Sequence, residues 1–153
     1  MTLRPMLCAV ALFLPACSPK PPPQLTQAEV HEFVRQYFVA ANSEDSSKLM
    51  ALVSREPTVS SIAHGWIFQG WETIRNANEE SAASTKNAKV SIGTVDVVPI
   101  GPDTALAVAR MKISQVQIGR SFAIDAPGAV TIIVRRTPDG IRLIHEHYSL
   151  RPI

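Results

Sequence analysis

His145 and His147 stand two positions apart in Ile141–Leu150, a run that reads as a strand. Strand side chains alternate between faces, so both imidazoles share one face with Ile141, Leu143 and Ser149, about 6.5–7 Å apart along the backbone. Arg142, Ile144, Glu146 and Tyr148 take the other face. The first face begins with Ile141 and Leu143, so it is expected to turn inward and to place both histidines on a pocket wall, with Ser149 near one end. Three uses of such a pair are open. The imidazoles can shape a polar pocket, one of them closing a hydrogen-bond network with Tyr37 or Asp96. One can act as a general acid or base, because a histidine titrates near neutral pH; that use needs an orienting carboxylate, for which Asp96 and Asp125 are the candidates. Finally, His-x-His on a strand can give two zinc ligands, with His64 or an acid as a third. No third-ligand spacing is fixed, so no metal is assigned, and no motif implies a cofactor.

Aromatic residues form a second group. Trp66, Phe68 and Trp71 flank Gly65 and Gly70. They either gate a pocket mouth or pack the start of a helix onto a sheet. With Tyr37, His145, His147 and Ser149, Trp66 and Phe68 make the expected pocket lining. Ala105, Ala107 and Ala109 alternate along one strand face. Facing inward they leave volume for a ligand; facing outward they let a second copy approach.

These residues must be positioned by the elements around them. Thr26-Gln27-Ala28-Glu29 has the form of a capping box. Val30, Phe33, Val34, Tyr37, Phe38 and Ala41 follow at helical spacing, and the helix should end near Asn42-Ser43. Asp45 or Ser46 can cap a second, short helix carrying Leu49, Leu52 and Val53. Thr58–Ile62 reads as a short strand, Gly65–Gly70 as a turn-bounded aromatic segment, and Trp71 to about Ser84 as a third helix. The second half predicts long strands over Lys89–Ile100, Thr104–Gln117, Ser121–Arg136 and Ile141–Leu150. Gly101-Pro102-Asp103 and Thr137-Pro138-Asp139-Gly140 supply turns, and Pro127-Gly128 predicts a bulge or break. Helices followed by a run of antiparallel strands indicate an α+β fold, with helices covering one face of a sheet.

Three segments carry a family likeness. The first is the opening amphipathic helix with its short Asp-containing successor. The second is Phe68-Gln69-Gly70-Trp71-Glu72-Thr73-Ile74, similar to an F-x-G-x-x-x-I pattern. The third is Asp139 to Ser149, similar to D-G-W-x-I-x-x-x-H-x-S, with Ile141 in the place of the Trp. In this order they resemble the SnoaL-like branch of the nuclear transport factor 2-like superfamily over about residues 26–151. The resemblance implies a cone-shaped fold, a curved antiparallel sheet wrapped around N-terminal helices, with a pocket in the cone and frequent homodimers. It spans isomerases, cyclases, dehydratases and plain binding modules, so function has to be argued from the site. The isomerase chemistry needs an aspartate base with a tyrosine and a protonated acid in an apolar site, and the dehydratases pair His with Asp; neither set can be assembled from motifs in this sequence.

The N-terminus reads as an export signal. Arg4 precedes the apolar run Met6–Leu14, shorter than the roughly 17–25 residues of a membrane span and within the range of a secretory signal. Leu14-Pro15-Ala16-Cys17-Ser18 resembles a bacterial lipobox. Its pattern implies a signal peptide over 1–16, a lipidated Cys17 with a proline-rich spacer over 17–25, and a folded domain over 26–153. Acylation would anchor Cys17 in a bilayer. Ser18 in place of Asp resembles an outer-membrane address facing the periplasm. Cys8 would leave with the signal.

Composition narrows the classes further. The chain has 153 residues, 46% hydrophobic and 18% charged, with a net charge of +2, which fits one folded domain and excludes a strongly basic nucleic-acid binder. The expectation is an envelope lipoprotein with a SnoaL-like domain that binds a small or amphipathic ligand. Two alternatives accompany it: a lyase- or isomerase-type enzyme using a pocket histidine, and an envelope scaffold or dimerisation module built on the outer sheet face.

Overall fold

The computed structural model describes residues 24–43, 45–119 and 123–151. The segment read as an export signal, Cys17 and the proline run before Gln24 lie outside the described residues. Helix α1 spans Gln27–Ala41 and begins in the capping box: the Glu29 amide donates to the Thr26 hydroxyl while the Glu29 carboxylate accepts from the Thr26 amide at 2.9 Å. Its buried stripe is Val30, Phe33, Val34, Tyr37, Phe38 and Ala40. Asp45 caps α2 (Ser46–Met50) by accepting from the Ser47 amide. Helix α3 is Trp71–Ser84 and buries Ile74. Trp71 anchors its first turn: the indole N–H donates to the Met50 carbonyl at 3.2 Å, and the Arg55 guanidinium lies 4.1 Å from the ring centroid.

The strands are β1 (Ser60–Ala63), β2 (Trp66–Gln69), β3 (Thr85–Pro99), β4 (Thr104–Gln117), β5 (Ala123–Thr137) and β6 (Gly140–Leu150). They form one sheet in the order β2-β1-β6-β5-β4-β3. All neighbours are antiparallel except β1 and β6, which run parallel, so the sheet is mixed rather than wholly antiparallel. The aromatic segment is itself a strand, β2, joined to β1 by a turn in which His64 and Gly65 take left-handed φ of 53° and 84°. Strand β3 begins directly at the end of α3 rather than at Lys89.

The core lies between α1 and the inner sheet face. Ala105, Ala107, Ala109 and Met111 of β4 and Val130, Ile132 and Val134 of β5 are buried against the α1 stripe. The alanines therefore face inward, and their small size lets the helix lie close to the sheet. Pro127-Gly128 makes no bulge in the β4 pairing: Lys112 opposes Pro127 and Met111 opposes Gly128 without a shift. A strand residue turns its N–H and C=O toward the same neighbour. The Pro127 carbonyl accepts from Arg151, just past the end of β6, so its missing N–H falls where pairing has already stopped.

The irregularity of β6 sits elsewhere. Leu143 opposes Val134 and His145 opposes Ile133, leaving Ile144 as one extra residue. This bulge reverses the alternation halfway along the strand. Two different partners meet there. The Leu143 backbone pairs with the 52–54 loop, its N–H donating to Leu52 at 2.9 Å and its carbonyl accepting from Ser54 at 2.8 Å. From His145 onward β6 pairs with β1 instead.

Candidate functional site

Registers across the first half of the sheet build the site. On the inner face one row reads Phe68, Ser61, Glu146, Ile132, and the next reads Trp66, Ala63, Tyr148, Val130. On the outer face the corresponding rows are Gln69, Ser60, His145, Ile133 and Ile67, Ile62, His147, Thr131. The Ile144 bulge thus turns Glu146 and Tyr148 inward and both histidines outward.

The inner rows line a cavity of about 580 Å³, closed on its other sides by α1, α3 and the ends of β3 and β4. Its apolar walls include Phe38, Leu49, Phe68, Ile74, Val90 and Ile113; Glu80, Ser81 and Ser84 of α3 and Gln115 and Gln117 of β4 add polar groups. Trp66, 71% exposed, stands at the rim.

Glu146 reaches the cavity yet is only 3% exposed. Three hydroxyls converge on its carboxylate. Ser61 donates to Oε1 at 2.7 Å, Tyr148 donates to Oε2 at 2.6 Å, and the Tyr37 hydroxyl makes a short hydrogen bond to Oε2. Burial, and next the nearby Glu146 carboxylate, push both phenols well above the ordinary tyrosine value of 10, so Tyr37 and Tyr148 keep their protons and can donate. Among the described residues no Lys or Arg lines the cavity, and none places a cation within ion-pair distance of Glu146.

The residues expected from sequence are dispersed. Trp66 and Phe68 line the cavity. Tyr37 lies behind the wall, 1% exposed, and acts through its hydroxyl on Glu146. His145, His147 and Ser149 do not reach the cavity, a correction that follows from the bulge. His145 Nδ1 instead lies 2.8 Å from the Ser60 hydroxyl on the outer face. The carboxylates expected to orient an imidazole are also outside. Asp125 is paired with Lys112 at 2.9 Å and accepts from Ser114, which hold its carboxyl below the ordinary value. Asp96 is exposed on the outer row opposite Val108. His64 reaches the cavity rim from the β1–β2 turn. Among the described residues no three His, Cys, Asp or Glu side chains group as a metal site.

Sequence reading missed Glu146, Tyr148 and Ser61. The available signal was a carboxylate between two histidines on a strand; the bulge that aims it inward has no mark in the sequence.

Solved structures with this architecture are numerous. A nuclear transport factor 2-like superfamily protein from Salmonella enterica serovar Typhimurium matches at TM-score 0.74 and 17% identity, covering 82% of this chain and 91% of that one. A ketosteroid isomerase-like protein from Erwinia carotovora atroseptica matches at TM-score 0.71 and 13% identity, covering 82% and 96%. A conserved protein from Planctomyces limnophilus matches at TM-score 0.70 and 18% identity, covering 83% and 97%. At these identities the likeness is one of fold, the nuclear transport factor 2-like fold. No curated protein matches the chain. The SnoaL-like domain family matches residues 30–153, from the first buried turn of α1 through the strand that carries Glu146. With that match over most of its length, the chain belongs to the SnoaL-like domain family.

Proposed function

We propose that this SnoaL-like domain is a binding module that holds a small amphipathic molecule in its cone. The observation that carries this reading is the cavity of about 580 Å³, which joins apolar walls to polar groups of α3 and β4 and to the buried Glu146 carboxylate with its three hydroxyls. Ligand sites commonly have this size and this pairing of apolar lining with few fixed polar groups. Ala77 of α3 lines the cavity and is half-buried, so Ala77→Trp fills it from a helix already in place. The neutral dye N-phenylnaphthylamine is expected to bind the wild type with enhanced fluorescence and to lose that signal in Ala77→Trp, with unchanged circular dichroism. Equal dye binding by both proteins would place the site elsewhere.

A second reading is lyase- or isomerase-type acid–base chemistry. With His145 and His147 outside, it would rest on Glu146, whose buried carboxylate lines the cavity. A carboxylate has about four acceptor positions, and three are occupied by Ser61, Tyr37 and Tyr148. That suits a fixed electrostatic floor better than a mobile proton acceptor, so binding is the preferred reading.

The Leu14-Pro15-Ala16-Cys17 pattern supports lipid anchoring of this module on the envelope. Cys17→Ser is expected to abolish labelling by a fatty-acid analogue and to move the protein from the membrane to the soluble fraction.

A further inference from the structure

We infer that the molecule held in the cone is an organic cation, an amine or quaternary ammonium carried on an apolar body. The inference rests on the binding reading above and names the chemistry of that same pocket. Glu146 is the starting point. A buried carboxylate ordinarily has a cationic partner or a metal. Here hydroxyls take that place, and among the described residues no Lys or Arg lines the cavity to supply the missing charge. Three donated hydrogen bonds leave one of the roughly four acceptor positions of a carboxylate open, on Oε1. A ligand N–H can fill it.

The rest of the lining has the same bias. Glu80 adds a second carboxylate, and the one basic side chain among the described lining residues is the rim imidazole His64. Phe38, Phe68, Trp66 and Tyr148 supply aromatic rings, whose faces attract ammonium groups. A bare divalent ion fits poorly. It calls for several charged or carbonyl oxygens around one point, whereas the described residues group no three metal-ligating side chains around Glu146. An anionic ligand would meet two carboxylates with no Lys or Arg beside them among the described lining residues. An amphipathic cation satisfies both features: its charge meets Glu146, and its apolar body covers the walls.

Three soluble probes of one shape separate these cases: phenylpropylamine, phenylpropanol and phenylpropanoate, titrated calorimetrically into the full chain at neutral pH. The amine is expected to bind at least about tenfold more tightly than the alcohol, and the carboxylate not at all. Glu146→Gln is expected to abolish the preference for the amine, bringing amine and alcohol to equal affinity. If that variant does not fold, Ser81→Lys decides instead. Ser81 is exposed on α3 at the cavity wall, away from the buried hydroxyls, and a lysine there is expected to weaken the amine several-fold and to spare the alcohol. Equal binding of amine and alcohol by the wild type, or preference for the carboxylate, overturns the cation assignment and leaves a binding pocket standing. Binding of none of the three overturns the pocket reading together with it.

Discussion

Glu146, Tyr37, Tyr148 and Ser61 form a buried polar cluster in which every member serves another. Removing one donor leaves the carboxylate under-satisfied in an apolar setting. Tyr37→Phe is therefore expected to lower unfolding stability by about 1–3 kcal/mol, read as a shift in urea midpoint at unchanged slope. A midpoint within error of wild type would mean that the Tyr37 hydroxyl contributes nothing. At the surface, Glu29 joins the start of α1 to β5 through Arg136 at 2.8 Å. The Arg136 hydrogen bond, followed by those from the Thr26 amide and hydroxyl, holds its carboxyl at about 2 rather than the ordinary 4.5. A carboxyl lowered on folding stabilises the native state above its unfolded value, and the contribution fades as pH falls toward the folded one. The contact is thus whole above about pH 4.5 and is lost toward about pH 2. Glu29→Gln should flatten the acid limb of the stability curve in that window, as thermal melts at stepped pH would show; parallel limbs would argue against the contact.

Among the elements, β6 determines what the pocket sees. Its parity holds as far as Leu143, which is fully buried, and then inverts at Ile144. The sequence made the strand legible because Ile141, Leu143 and the Thr137–Gly140 turn mark it clearly. The bulge was not legible, because it arises from tertiary pairing: the 52–54 loop takes Leu143, and β1 takes over from His145. No local residue type announces such a change of partner. The double variant His145→Ala with His147→Ala is accordingly expected to leave dye and amine binding within about twofold of wild type, since neither ring reaches the cavity. A large loss would restore the histidines as pocket residues. Strand β5 holds a second constraint. A Cβ at Gly128 would lie 2.3 Å from the Ser149 carbonyl oxygen, a backbone atom that cannot swing away. Gly128→Ala should push β5 and β6 apart and cost about 1–3 kcal/mol, measured by thermal or urea unfolding.

For the molecule as a whole, the capping box, the α1 stripe, the β4 alternation and the order of helices before strands were all visible in residue types and spacing. They are local patterns, and local patterns survive into the fold. The cavity was less visible, since its walls come from segments far apart in the chain, such as Phe38, Ile74, Ile113 and Glu146. Leu143 is fully buried at the junction of the sheet and the 52–54 loop. Leu143→Ala is expected to cost about 2–5 kcal/mol as a buried truncation, again by unfolding midpoint. The Ile144 bulge also bears on how such a domain tolerates changes in length. By parity, a codon lost at 144 straightens β6 and keeps Glu146 and Tyr148 facing the cone, whereas a codon lost at 147 turns Tyr148 out toward solvent. By parity, one point of the strand can therefore lose a residue without changing which side chains face the cavity, while the same loss three positions later changes them.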